Sequence, residues 1–156
     1  MAIRKLAELS GHLTPGRRLL GLDIGEKTIG LALSDATLLI ASPLDTLKRS
    51  KFTRDAENLA GVIEEHDIGG LIIGLPINMD GSEGPRCQSV RQFAANLLGR
   101  MDLEIAFWDE RLSTVAVTRT MIEADISRAK QKQAVDKLAA AYILQGALDY
   151  LRNSPS

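Results

Sequence analysis

Three acidic residues in this chain, Asp23, Glu110 and Asp136, stand where their carboxylates could do chemistry. Asp23 lies within the apolar run 17–25, where a lone ionised carboxylate is costly unless it is paired, hydrogen-bonded or bound to a metal. Glu110 follows the apolar stretch 103–108, so its side chain emerges where a strand runs into a loop, a frequent place for functional groups in sheet proteins. Asp136 shares a helical face with Ala139, Ala140, Ile143 and Ala147, a face too small and apolar to look at solvent. An oxygen-only set of this kind suits Mg²⁺ or Mn²⁺. Two such ions roughly 4 Å apart would clamp the attacking and leaving oxygens of a phosphodiester. His12 and His66 are not needed for that chemistry.

Each acid taken alone has a plainer explanation. Asp23 could cap the turn through Gly25. The triplet Asp109, Glu110, Arg111 could be a solvated turn with a surface ion pair, which is the better reading of that segment by itself. Asp136 could be a boundary residue paired with Lys132 or Lys137.

The elements that would position these acids can be read from periodicity and turn chemistry. Residues 17–25 suit a buried strand, and 28–35 a second strand whose Ile29, Leu31 and Leu33 alternate with small or polar residues, so the two form a hairpin. A third strand follows Pro43, over 44–48. The recurrence of Ala56, Leu59, Ala60, Val62 and Ile63 predicts an amphipathic helix over 53–66, with Thr53 as its N-cap. Residues 71–75 read as a central strand covered on both faces. The stretch 77–84 (INMDGSEG) is a loop by composition. A helix carrying Val90, Phe93, Ala94 and Leu97 ends near Gly99, and 103–108 is another strand. Ser113 or Thr114 caps a helix to about residue 123, 124–129 is a loop, and 130–151 is a long last helix. The order β-β-β-α-β-α-β-α-α predicts an α/β domain with a mixed five-stranded sheet and helices on both faces.

Composition narrows the class without naming it. A chain of 156 residues with 45% hydrophobic and 25% charged residues is expected to form one ordinary globular domain, over 17–152, with 1–16 as a flexible N-terminal extension. The formal charge of -1 offers no global attraction to nucleic acid, so such binding must come from local clusters. Lys48, Arg49, Lys51 and Arg54 form one such cluster, and Arg128, Lys130 and Lys132 another. The single cysteine, Cys87, has no disulfide partner and reads as a small helix residue in a reducing compartment. With no apolar core for a signal peptide and no apolar run near the roughly 20 residues of a membrane span, a cytoplasmic location is expected.

Four ordered segments, 20–35 (LGLDIGEKTIGLALSD), 73–84 (IGLPINMDGSEG), 108–114 (WDERLST) and 136–145 (DKLAAAYILQ), resemble the YqgF/RuvX family, described as pre-16S rRNA nucleases and as Holliday-junction-resolvase-like. The resemblance spans 17–152. It implies a ribonuclease-H-like fold and hydrolysis of nucleic-acid phosphodiesters assisted by Mg²⁺ or Mn²⁺, with the family's acids falling on Asp23, Glu110 and Asp136. The implied reaction is processing of the 5′ end of pre-16S rRNA, with a four-way DNA junction as the alternative substrate. Substrate contacts are expected from Lys27, Arg111, Ser113, Thr114, Arg128 and Lys130, and the protein is expected to be a monomer or a homodimer. The family commonly has Arg after the position of Lys27; here Thr28 stands there. Two other classes fit parts of the pattern. A two-lobed phosphate-binding ATPase or sugar kinase also opens with Asp-x-Gly on a hairpin, but this length has room for one lobe. A catalytically silent RNA-binding assembly factor would keep the fold without needing all three acids.

Overall fold

The computed structural model describes residues 2–112 and 128–153, with the backbone alone for 128–134. The strands are β1 (Ile3–Arg4), β2 (Arg18–Ile24), β3 (Thr28–Ser34), β4 (Ala41–Lys48), β5 (Ile68–Leu75) and β6 (Glu104–Asp109). The helices are α1 (Leu6–Leu9), α2 (Phe52–Glu65), α3 (Pro85–Leu98) and α4 (Arg128–Asn153), with 3-10 turns at Ser10–His12 and Glu110–Leu112. The sheet runs β1-β6-β5-β2-β3-β4. β3 is antiparallel to both its neighbours, β2 and β4, while β5 is parallel to β2 and to β6. No helix among the described residues is long and apolar enough to cross a membrane.

Alternation along each strand sends side chains to two separate cores. Leu20, Leu22, Ile24, Ile29, Leu31, Ile73 and Ile105 pack with Leu59, Val90, Phe93 and Leu97 of α2 and α3. Leu19, Ala32, Ile72, Ala106 and Trp108 pack on the other face against Ala139, Ala140, Ile143, Leu144 and Ala147 of α4. The expected mixed sheet with helices on both faces is therefore present.

The sheet has one strand more than the five expected. Ile3 and Arg4 add in parallel to β6, opposite Ile105 and Ala106, and Leu9 just beyond them is fully buried. Two residues are too short for a periodic signal, so the strand is held by a side-chain tie: Arg4 Nε donates to Glu104 Oε2 at 2.6 Å. The Arg4 guanidinium holds the Glu104 carboxyl down at about 2, from the usual 4.5. A depressed folded-state value means stability that is fully present above about pH 4.5 and lost as pH falls toward about 2. Glu104→Gln is therefore expected to lower stability at pH 7 by about 1–3 kcal/mol and to flatten the acid limb between pH 4.5 and 2. Urea melts at pH 7, 4 and 2.5 check this.

α2 starts one residue before the predicted Thr53 cap, with Lys51 at the N-cap position and no side-chain cap. The reason lies in the buried Asp55, whose Oδ1 reaches back to accept the Ser50 N–H at 3.0 Å and the Ser50 hydroxyl at 3.3 Å. That carboxylate fixes the entry to the helix from its first turn. The helix expected from Ser113 or Thr114 to 123 lies outside the described residues. Of the loop expected over 124–129, the last two positions, Arg128 and Ala129, are already helical in α4.

Candidate active site

The parallel strands β2, β5 and β6 end together. Leu22 is level with Ile73, while Gly74 is level with Trp108 and Leu75 with Asp109, so Asp23 and Gly74 are each the next residue after a register pair. Asp23 is only 6% exposed and, alternating with Leu22 and Ile24, faces α4 rather than α2 and α3. Its antiparallel partner is Gly30.

Glycines on this face let α4 descend onto the sheet. A methyl group at Gly30 would lie 2.0 Å from the carbonyl oxygen of Asp136, and one at Gly21 2.9 Å from the carbonyl oxygen of Ala140. The helix backbone thus rests on β2 and β3 themselves, and Asp136 is set beside the residue that pairs with Asp23. Its carboxylate accepts a hydrogen bond from the Thr28 hydroxyl. Thr28 therefore orients an acid here.

Glu110 arrives from the third side. A methyl group at Gly74 would sit 3.3 Å from its carboxyl carbon and 2.5 Å from Ile143 Cδ1, so the Glu110 side chain folds over β5 on the α4 face. The ion pair in the charged triplet does exist, but between its outer members: Arg111 Nη2 donates to Asp109 Oδ2 at 2.7 Å and its Nε to both carboxylate oxygens at 3.1 Å. The Arg111 side chain and backbone N–H hold the Asp109 carboxyl below the usual carboxylate range. Glu110 is left out of that pair and turned inward.

The three acids thus lie at one end of the sheet on the α4 face, Asp136 beside Gly30 and Glu110 over Gly74. Among the described residues no three His, Cys, Asp or Glu side chains are drawn to a single point close enough to hold an ion as they stand. Carboxylates brought near one another repel, and a divalent cation is the chemical partner that would draw them in. The donor set and the cleared floor fit such an ion.

Other expected contributors are scattered. Lys27 is exposed at the tip of the β2–β3 turn, where its carbonyl accepts the Arg49 N–H at 2.8 Å. Ser113 and Thr114 lie outside the described residues, and Arg128 and Lys130 are placed by backbone alone in the first turn of α4. Lys48, Lys51 and Arg54 are exposed, whereas Arg49 is half-buried. The loop 77–84 is closed on itself, Asp80 Oδ1 accepting both the Ser82 N–H at 2.9 Å and its hydroxyl at 2.6 Å. A methyl group at Gly81 would be 3.5 Å from Arg111 Nη1, so this loop flanks the Glu110 side of the site. Cys87 is buried in α3, and burial pushes its thiol up, away from the thiolate a nucleophile needs.

Gly30, Gly74 and Thr28 did not figure among the expected site residues. The signal for the glycines was present as their spacing on strands: Gly21, Gly30 and Gly74 all fall on the same face as Asp23. Thr28 carried no such signal, because nothing local shows that α4 will bring Asp136 to it.

Residues 17–150 match the family model described as RuvX: Holliday junction resolvase. The chain belongs to the RuvX family. A relative from Paramagnetospirillum magneticum is 62% identical over 149 residues, 96% of each chain, and one from Rhodospirillum centenum is 59% identical over 157 residues, 97% of this chain and 84% of the relative. Both carry the name "Putative pre-16S rRNA nuclease". Among solved structures, the chain is similar to Thermus thermophilus RuvC in complex with a Holliday junction substrate, with a TM-score of 0.54 at 14% identity over 87% of this chain and 95% of that one. A second Thermus thermophilus RuvC structure gives 0.52 at 15% identity over 86% and 95%. The fold is ribonuclease-H-like, as the sequence resemblance implied, and this RuvX-family protein is a nuclease of the hydrolase class.

Proposed function

We propose that this RuvX-family protein is a metal-dependent nuclease whose Asp23, Glu110 and Asp136 hold Mg²⁺ or Mn²⁺, and that it trims the 5′ end of pre-16S rRNA. What supports the metal assignment is that Asp23 is buried at the end of β2 on the face packed by α4, with Asp136 seated beside its partner Gly30 and the Glu110 carboxyl over Gly74. A bound divalent ion would neutralise phosphate charge and assist both the attacking and the leaving oxygen. The protein's part is to position. Asp23 is fixed by a rigid central strand, Asp136 by the Thr28 hydroxyl and by the seat of α4 on Gly30, and Glu110 by the end of β6. Side chains on strands and helices hold such geometry better than loops do.

The names of relatives sharing about three-fifths of the sequence favour the RNA substrate. The four-way DNA junction is the second reading, favoured by the description of the family model. The deciding assay presents purified protein with Mg²⁺ or Mn²⁺ to a 16S precursor fragment, a four-way DNA junction and a generic single strand. The precursor is expected to be cut at least about tenfold faster than the others, and chelation to stop the reaction. Preference for the junction would overturn the RNA assignment, and cleavage that persists in chelator would overturn the metal.

A further inference from the structure

The same end of the sheet carries a cleft on its opposite face. A cleft of about 200 Å³ opens between the end of β2 and the first turns of α3, lined by Gly25, Glu26, Arg49, Arg86 and Ser89 among others. It is separated from the three acids only by the strand itself: Asp23 faces α4, while the next two residues, Ile24 and Gly25, border the cleft.

Arg49 is built into this cleft rather than lying loosely on it. Its Nη1 donates to the Gly25 carbonyl at 2.7 Å, its Nε lies 3.8 Å from Asp55 Oδ2, and its guanidinium sits 5.3 Å over the Phe93 ring. Asp55 is 2% exposed, and among the described residues its Oδ2 has no hydrogen-bond partner, so the Arg49 charge 3.8 Å away is what compensates it. A guanidinium held by a carbonyl, a buried carboxylate and an aromatic face loses little further freedom on meeting a ligand. Arg86 forms the opposite wall from the first turn of α3; it is exposed, and no hydrogen bond or ion pair engages it among the described residues. Ser89, one turn on, adds a hydroxyl donor on the same wall. Among the described residues Glu26 is the one carboxylate of the lining, and because Arg49 is set against the buried Asp55, Arg86 is the guanidinium that no ion pair engages.

We propose that this cleft is a phosphate subsite for the nucleic-acid backbone, in which Arg49 and Arg86 grip a phosphodiester flanking the bond that is cleaved. The proposal rests on the nuclease reading above and adds the residues that fix where the strand lies on the enzyme. Paired guanidiniums with a hydroxyl match the planar, multi-oxygen geometry of a phosphate, and a contact of this kind positions the strand without reading its bases. Its place around the end of β2 means that a strand crossing the sheet end would put one phosphate at the acids and another in the cleft. The pre-set Arg49 would then fix register, and the open Arg86 would close on the strand.

The test measures affinity for a 16S precursor fragment by fluorescence anisotropy in chelator, so that binding is read apart from cleavage. Arg86→Gln, at an exposed position that should fold normally, is expected to weaken binding about five- to tenfold and to lower the slope of log affinity against log salt by about one. Arg86→Lys, which keeps the charge but not the planar fork, should retain the salt slope and fall between wild type and Arg86→Gln in affinity. Replacing phosphates one at a time by neutral methylphosphonates should reveal a single linkage whose neutralisation weakens the wild type but leaves Arg86→Gln unchanged. Equal affinities and salt slopes for wild type and Arg86→Gln, or no such linkage, would overturn the subsite. If the wild type still binds and cuts RNA in that event, the nuclease reading stands and the cleft alone is lost. A wild type that binds neither RNA nor DNA removes both.

Discussion

Asp23→Asn and Asp136→Asn are each expected to reduce Mn²⁺-dependent cleavage of a structured RNA by on the order of 10³-fold while leaving the fold intact. The substitution keeps volume and shape in both places. At Asp23, 6% exposed in a central strand, the amide has the shape of the carboxylate and leaves no cavity, so the fold should be kept. At Asp136 the amide oxygen still accepts the Thr28 hydroxyl, so the seat of the side chain is kept. What is lost in each case is one negative charge from the set. A readout independent of activity follows from mass action: Mn²⁺ should raise the melting temperature of the wild type and raise it less in either variant. Full cleavage by both variants, or identical Mn²⁺ shifts in all three proteins, would remove the metal assignment.

How much of this was visible in the sequence depended on the range of the cause. Strands β2, β3, β5 and β6 and helices α2, α3 and α4 are written in local apolar periodicity, and the structure places them within a few residues of expectation. β1 was not legible, because two residues carry no period and the strand exists through Arg4 meeting Glu104, a hundred positions away. The start of α2 was misjudged for a similar reason: Thr53 is an ordinary cap residue, but the buried Asp55 fixes the entry by accepting from Ser50 ahead of the helix.

Burial arguments expected Asp23 and Asp136 on packed faces, and in the structure Asp23 is buried in β2 and Asp136 is half-buried where α4 rests on β3. The alanine-rich stripe beside Asp136 also foretold that α4 would approach the sheet closely. Glu110 had no such argument, since a charged triplet after a strand reads as a solvated turn. Only the pairing of Asp109 with Arg111, leaving Glu110 over Gly74, separates it from its neighbours, and that pairing is a matter of side-chain geometry. The cleft at Arg49 and Arg86 was also beyond local reading. Arg49 stood in a run of basic residues of which its companions Lys48, Lys51 and Arg54 are exposed, and Arg86 lay in a different segment altogether.

The glycine seat makes the strongest structural prediction. Gly30→Ala adds one methyl group, and that group would lie 2.0 Å from the Asp136 carbonyl oxygen and 2.4 Å from its carbonyl carbon. Both contacts are backbone, so no side chain can rotate away; either α4 lifts by roughly 1 Å or β3 bends, and overpacking of this sort costs about 1–3 kcal/mol or more. Lifting the helix also pulls the Asp136 carboxylate from Thr28 and from the end of β2, and misplacement of about 1 Å at a reacting centre can cost on the order of 10²-fold in rate. Gly30→Ala is therefore expected to lower the melting temperature by several degrees and to reduce cleavage at least about a hundredfold even where the protein is fully folded. Gly61→Ala supplies the contrast: this glycine is exposed in α2 with nothing within 4 Å of an added methyl group, so alanine there should raise stability by about 0.5–1 kcal/mol and leave cleavage alone. Thermal melts and single-turnover cleavage of both variants decide the matter. A Gly30→Ala protein as stable and active as the wild type would mean that α4 does not rest on β3 in solution, and the close placement of Asp136 beside Asp23 would fall with it.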